Sequence, residues 1–180
     1  LTVVPEIRCL VSNSPFIELA AEISGPTVQP VYGVFFDKTP LANWNVPWHQ
    51  DLTIRVHQRQ SVAGFEPRPG NDGTTHVIPP CQFTEQMLAI RIHLDDATEN
   101  HGALRVVTGS HRFGRISDAQ IQSIVAATEA HVCEVRAGDV MIMRPLILHA
   151  SSRCENPGHR RVIHIEYAAF DLPDGLEWYV

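Results

Sequence analysis

At 180 residues and 44% apolar content the chain can bury one core of its own. A net charge of −6, without any run of Lys or Arg, speaks against a nucleic-acid partner. No stretch approaches the roughly 18 unbroken apolar residues of a membrane span, and the first residues lack the basic-then-apolar pattern of a signal peptide, so the expected location is cytoplasmic.

The first expected element is a helix, with Ser14 as cap, Pro15 in the first turn, residues 16–23 as its body and Gly25 as its end. Residues 1–28 thus form a helical N-terminal flank. A strand over residues 29–36 follows, and a loop over 39–47 leads to Trp48-His49-Gln50-Asp51. Residues 52–58 read as a strand. Alternation along it puts Leu52, Ile54 and Val56 on one face, and Thr53, Arg55 and His57 on the face of His49 and Asp51. Segment 63–80, rich in Gly and Pro and carrying His76, reads as a loose connection of the kind that serves as a lid.

A second alternating strand, residues 87–94, sets Leu88, Ile90, Ile92 and Leu94 against Ala89, Arg91 and His93. Residues 117–128 read as a helix whose Ile121, Ile124 and Val125, with Ile116 before it, make a core stripe. Residues 131–135 and 140–143, joined by Arg136-Ala137-Gly138-Asp139, read as a hairpin. Asn156-Pro157-Gly158 marks a turn before a last strand over residues 160–167. Cys9, Cys81, Cys133 and Cys154 are dispersed and form no CxxC, which fits free thiols in a reducing compartment and not a zinc-thiolate site. Short, evenly punctuated strands without alternating helices predict a mainly β fold, a double-stranded β-helix or jelly roll over residues 29–170 with a few flanking helices. Residues 1–180 are expected to make a single domain.

Chemistry concentrates at four residues. On a strand, His49 and Asp51 point the same way and Gln50 the other, so a His-x-Asp delivers two ligands to one point. A third ligand must come from a distant segment, and His149 closes an apolar, strand-like run. Two imidazoles and one carboxylate hold iron(II) on one face and leave the other open. Arg160, eleven residues past His149, suits the anchor of a dicarboxylate co-substrate. In a chain with ten histidines a His-x-Asp pair alone is weak evidence; its agreement with His149 and Arg160 gives it weight.

The local sequences add a family. Pro47-Trp48-His49-Gln50-Asp51, His93-Leu94-Asp95-Asp96-Ala97-Thr98-Glu99-Asn100-His101-Gly102-Ala103-Leu104, Gly109-Ser110-His111-Arg112, Pro145-Leu146-Ile147-Leu148-His149-Ala150-Ser151 and the segment from Arg160 resemble the phytanoyl-CoA dioxygenase family, from about Pro30 to the C-terminus. The resemblance implies iron(II) ligands at His49, Asp51 and His149, and 2-oxoglutarate contacts from Arg160, with Ser151 as a supporting hydroxyl and Arg91 beside the co-substrate. Dioxygen would be the second co-substrate, succinate and carbon dioxide the co-products, and hydroxylation the outcome; Arg55, His57 and Arg91 point to a small polar or anionic metabolite as the substrate. Because Asp51 keeps the carboxylate that related halogenases replace, hydroxylation is favoured over halogenation.

Two departures from the family pattern stand out. His101 takes the place of the asparagine in a Glu-Asn-Gly turn, and the N-terminal portion is short for the family. Two other readings are carried forward. One is a catalytically inactive jelly-roll binding protein. The other is a zinc-dependent hydrolase, for which no general base lies beside the ligand pair and Arg160 has no role.

Overall fold

The computed structural model describes residues 5–12, 15–57, 61–69, 74–155, 158–173 and 175–180. The expected Ser14 cap and Asn156-Pro157 fall outside them. Two helices open the chain, α1 (Pro5–Ser12) and α2 (Pro15–Ser24). The helical flank expected over residues 1–28 thus holds a further helix, α1, of which only Val11 is buried. Gly25, at φ 100°, ends α2 in the left-handed region and donates to Ala21 O at 2.9 Å.

Strands follow as β1 (Gln29–Lys38), β2 (Val46–His49), β3 (Ile54–Val56), β4 (Glu66–Pro69) and β5 (Thr75–Ile78). After the short helix α3 (Cys81–Thr84) come β6 (Met87–His93) and β7 (Leu104–Val106), then α4 (Asp118–Ala127). The last strands are β8 (His131–Cys133), β9 (Val140–Met143), β10 (His149–Ser151) and β11 (Arg160–Ala168). They form three sheets with orders β1-β11-β6-β9, β2-β10-β7-β8 and β3-β5-β4.

The chain divides into two compact units, one of Leu1–Val34, Leu52–Ile90 and Ile165–Val180, the other of Phe35–Asp51 and Arg91–His164. In the first, Val31, Ile54, Val56, Phe65, Val77 and Met87 pack into a core, and Tyr167 reaches Val11 O at 3.2 Å. In the second, Leu104, Val106, Leu146, Leu148, Ala150 and Val162 are buried.

Three expectations are revised. Segment 63–80 is not simply a loose lid, because its described residues hold β4 and β5, paired from Glu66↔Ile78 to Pro69↔Thr75. Two of its prolines, Pro67 and Pro69, sit on β4, an edge strand, where a missing N–H is tolerated. The expected hairpin of β8 and β9 does not form, since β8 pairs with β7 and β9 lies beside β6 in another sheet. Helix α4 begins where expected, with Ser117 N donating to the Gln120 side chain at 3.0 Å. It buries none of its own residues fully, however, so of the expected stripe only Ile116, before the helix, is core. Instead Ile121, Val125 and Ala126 line an open groove of about 600 Å³ with Pro47 and Trp48.

Candidate metal and dicarboxylate site

All the candidate site residues lie in the second unit. Strand β10 pairs with β2 in the register His149↔His49, which sets the two imidazoles side by side with centroids 4.2 Å apart. β2 ends at His49, so Asp51 is placed not by the strand but by a hydrogen bond from its own N–H to Pro145 O at 3.0 Å. Gln50 turns the other way. Its Nε2 donates to Gly114 O at 2.8 Å and Leu146 O at 2.7 Å, and its Oε1 accepts from Ile116 N at 2.8 Å. The residue between the two ligands is thereby saturated and braces the turn.

Asp51 lies between the histidines, with His49 Nε2 3.6 Å from Oδ1 and His149 Nε2 3.6 Å from Oδ2. These ligand atoms all fall within 4.8 Å of one another. Each imidazole is anchored through its other nitrogen: His49 Nδ1 to Pro47 O at 2.8 Å and His149 Nδ1 to Ile147 O at 2.9 Å. A carbonyl only accepts, so both Nδ1 atoms carry the proton and Nε2 of each ring is the atom left to meet a metal. His149 is 4% exposed, whereas His49 and Asp51 keep 37% and 26%, so the cluster is open on the His49 side.

The electrostatics agree. Burial pulls the His149 pKa down to about 4, against the pull of Asp51. For His49 burial acts downward too, but the hydrogen bond and charge of Asp51 outweigh it and raise the pKa above 6.5. Burial would raise Asp51, yet the His49 hydrogen bond and the charges of His149 and His164 hold it well below the carboxylate range. The neutral His149, and the ionised Asp51 between the two rings, present a donor set ready for a divalent cation.

A second group of side chains is cationic. Arg160 opens β11 and is buried, with no partner for Nε. Burial lowers its pKa, and the charge of Asp37 offsets part of that. Arg91, on β6, donates from Nη1 to His164 Nδ1 at 2.9 Å and lies 5.7 Å from the Phe36 ring, again with Nε unpartnered. Burial, then the charge of Arg160, push its pKa down to about 10.

Ser151 Oγ donates to Gly102 O at 2.8 Å and accepts from Lys38 Nζ at 2.8 Å, and Lys38 also donates to Ser152 O. Lys38 is fully buried, and burial together with Arg160 takes its pKa to about 8. Sequence reasoning missed Lys38 because it ended the strand at Phe36. Continuing the alternation to β1's observed end would have placed Lys38 on the face of Phe36.

The turn that receives Ser151 tolerates its histidine. Glu99–His101 forms one 3₁₀ turn, His101 Nδ1 lies 2.8 Å from Thr98 Oγ1, and Gly102 closes it at φ 69°. Arg55 and His57, expected on the face of His49, lie instead in the first unit, Arg55 on β3 in another sheet and His57 just after that strand. Parity could not be run from His49 to His57 because β2 and β3 are separate strands. Arg55 stacks on Tyr32 with its guanidinium carbon 4.3 Å from the ring centroid, and His57 meets Tyr179 edge-on at 5.1 Å.

A family model described as phytanoyl-CoA dioxygenase (PhyH) matches residues 14–162. The chain belongs to the phytanoyl-CoA dioxygenase family. Among solved structures it resembles AviO1 from Streptomyces viridochromogenes Tue57, at 28% identity and TM-score 0.61, over 88% of this chain and 58% of that one. It also resembles EvdMO1, at 26% identity and TM-score 0.61, over 88% of this chain and 30% of that one. EctD from S. alaskensis, solved with 2-oxoglutarate and 5-hydroxyectoine, shares the fold at 18% identity and TM-score 0.66, over 91% of this chain and 52% of that one. The chain thus spans little more than half of AviO1 and under a third of EvdMO1. No curated protein matches it. The mainly β, double-stranded β-helix class expected from the strand pattern is the fold this family member adopts. Among the described residues no helix is long and apolar enough to cross a membrane, and the four cysteines form no disulfide.

Proposed function

We propose that this member of the phytanoyl-CoA dioxygenase family is a single-domain iron(II)- and 2-oxoglutarate-dependent oxygenase that hydroxylates an unactivated C–H bond of a small polar or anionic metabolite. Above all, the convergence of His49 Nε2, Asp51 and His149 Nε2, with both Nδ1 atoms tied to backbone carbonyls, supports it. Two imidazoles and a carboxylate suit iron(II) and leave positions for other ligands. Bound there, iron(II) and 2-oxoglutarate supply the oxidising chemistry, with dioxygen as co-substrate and succinate and carbon dioxide as co-products.

What the protein itself does is hold and orient. His49, Asp51 and His149 would hold the metal. Arg160, whose guanidinium suits a two-pronged contact, would take the distal carboxylate of 2-oxoglutarate. Ser151 assists by keeping the Lys38 ammonium in place through the 2.8 Å contact. Arg91, fixed by His164, adds a positive charge beside the metal ligands and favours a dianionic co-substrate. Burial of the three cations keeps them poorly hydrated, so an entering carboxylate meets less competition from water.

The testing experiment is succinate release from 2-oxoglutarate by iron-loaded protein, with and without oxygen. Release that requires iron and oxygen and is lost in Asp51→Ala is expected. Iron-loaded, folded protein that binds 2-oxoglutarate yet releases no succinate with any substrate would favour the inactive binding protein. Turnover with zinc and without 2-oxoglutarate would favour the hydrolase.

A further inference from the structure

His93 ends β6, is 1% exposed, and neither of its ring nitrogens has a hydrogen-bond partner. Its backbone is satisfied, N–H to Asp139 O at 3.0 Å and C=O from Gly138 N at 2.8 Å, so the orphaned groups are in the side chain alone. Buried polar side-chain atoms nearly always find a partner, and one that does not calls for a ligand or a cause. By strand alternation the ring points to the face of Arg91.

Its place along the strand says which end of a ligand it would meet. Arg91 contacts His164, and three residues on, Leu94 N donates to Arg161 O at 2.9 Å. Moving from Arg91 to His93 along β6 is therefore moving from His164 towards Arg160 along β11. Arg91 feels both Arg160 and Asp51, whereas His93 feels Arg91 and Arg160 and not Asp51, so the His93 end is the one away from the metal ligands.

We propose that His93 is a further binding residue for the co-substrate, donating a hydrogen bond to its distal carboxylate beside Arg160. This rests on the oxygenase assignment above. The charges felt at the ring are those of Arg91 on its own strand, Arg160 on β11 and Asp139 before β9. With burial, the two arginines keep the imidazole neutral, at a pKa of about 4. A neutral imidazole still carries one N–H, which is all a carboxylate oxygen needs. The pocket would then grip the carboxylate with a histidine as well as an arginine, and His93 would discriminate a dicarboxylate from a 2-oxo acid that lacks the second carboxylate.

The test is anaerobic calorimetric titration of the iron(II)-loaded protein with 2-oxoglutarate and, separately, with 2-oxopentanoate, which keeps the 2-oxo acid and ends in a methyl group. His93→Leu should weaken 2-oxoglutarate about tenfold, a single charge-assisted hydrogen bond's share, and leave 2-oxopentanoate unchanged. His93→Gln, which keeps an N–H, should stay close to the wild type. Without ligand, His93→Leu should melt at or above the wild-type temperature, because leucine strands no buried nitrogen.

Equal weakening of both ligands by His93→Leu overturns the proposal in favour of a structural role. Unchanged 2-oxoglutarate binding overturns it while leaving the oxygenase assignment standing. Wild-type protein that binds neither ligand overturns both.

Discussion

The metal-ligand cluster and the cationic cluster are both built on the second unit and are opposites in charge balance. At His49, Asp51 and His149, the carboxylate lies 3.6 Å from each imidazole, and each ring's second nitrogen is tied to a carbonyl. At Lys38, Arg91 and Arg160, three buried cations lie near one another, with Nε of both arginines and both nitrogens of His93 unpartnered. A protein tolerates the first arrangement with or without a metal. The second is costly as it stands and is relieved by an anion. The difference teaches that orphaned polar atoms, more than matched ones, mark where a ligand's charge belongs.

The sharpest way to break the comparison is Asp51→Ala. It should remove iron binding and lower turnover about a hundredfold or more, as expected when a ligand itself is lost and not merely its support. Retention of iron would mean that the cluster is not the metal site. Next, Arg160→Lys keeps the charge and loses the two-pronged geometry, so the 2-oxoglutarate dissociation constant should rise about 10- to 100-fold while iron binding is unchanged. A loss of both together would show that the two clusters are not separable.

Acid should weaken the metal-free fold. The pKa values of His93 and His149 are both lowered, to about 4, from an ordinary 6.5. The unfolded chain therefore binds more protons between those values, and stability present above pH 6.5 is lost as pH falls towards 4. Urea midpoints at pH 7 and pH 5 check this, and His93→Leu should flatten the difference.

Gly102→Ala probes the turn behind Ser151. At φ +69° a Cβ would lie 2.6 Å from Ser152 O and 3.3 Å from Lys38 Nζ. A loss of about 1–3 kcal/mol in chemical denaturation is expected, together with weaker 2-oxoglutarate binding. The smallest effect belongs to Asp95→Asn, which removes the ion pair with Arg161 at 2.8 Å. As a surface pair it should change stability by less than about 1 kcal/mol and leave binding untouched.

How much of this was legible in the sequence follows from how local each signal is. His49, Asp51, His149 and Arg160 were readable because their spacing fits strand geometry and their residue types fit one metal and one anion. The span of α4 was readable from the helical spacing of its apolar residues. Partnership was less readable. Nothing local tells β9 to lie beside β6 and not β8, and nothing between Asp51 and Ile54 announces a change of sheet. That silent break carried Arg55 and His57 to the wrong face.

Lys38 and His93 were hidden for a different reason. A lysine after an apolar strand reads as a surface residue, and alternation puts His93 on the face of Arg91 without showing that its ring nitrogens lack partners. Only β1's observed length and the empty bonding positions around His93 give them a role.

The most direct test of the central claim is anaerobic titration of iron(II)-loaded protein with 2-oxoglutarate, followed by the weak visible charge-transfer band of the chelate. The account predicts a saturable band in the wild type, no band in Asp51→Ala, and a band reached only at higher 2-oxoglutarate in Arg160→Lys. Folded, iron-loaded wild-type protein that shows no band at any concentration would contradict it.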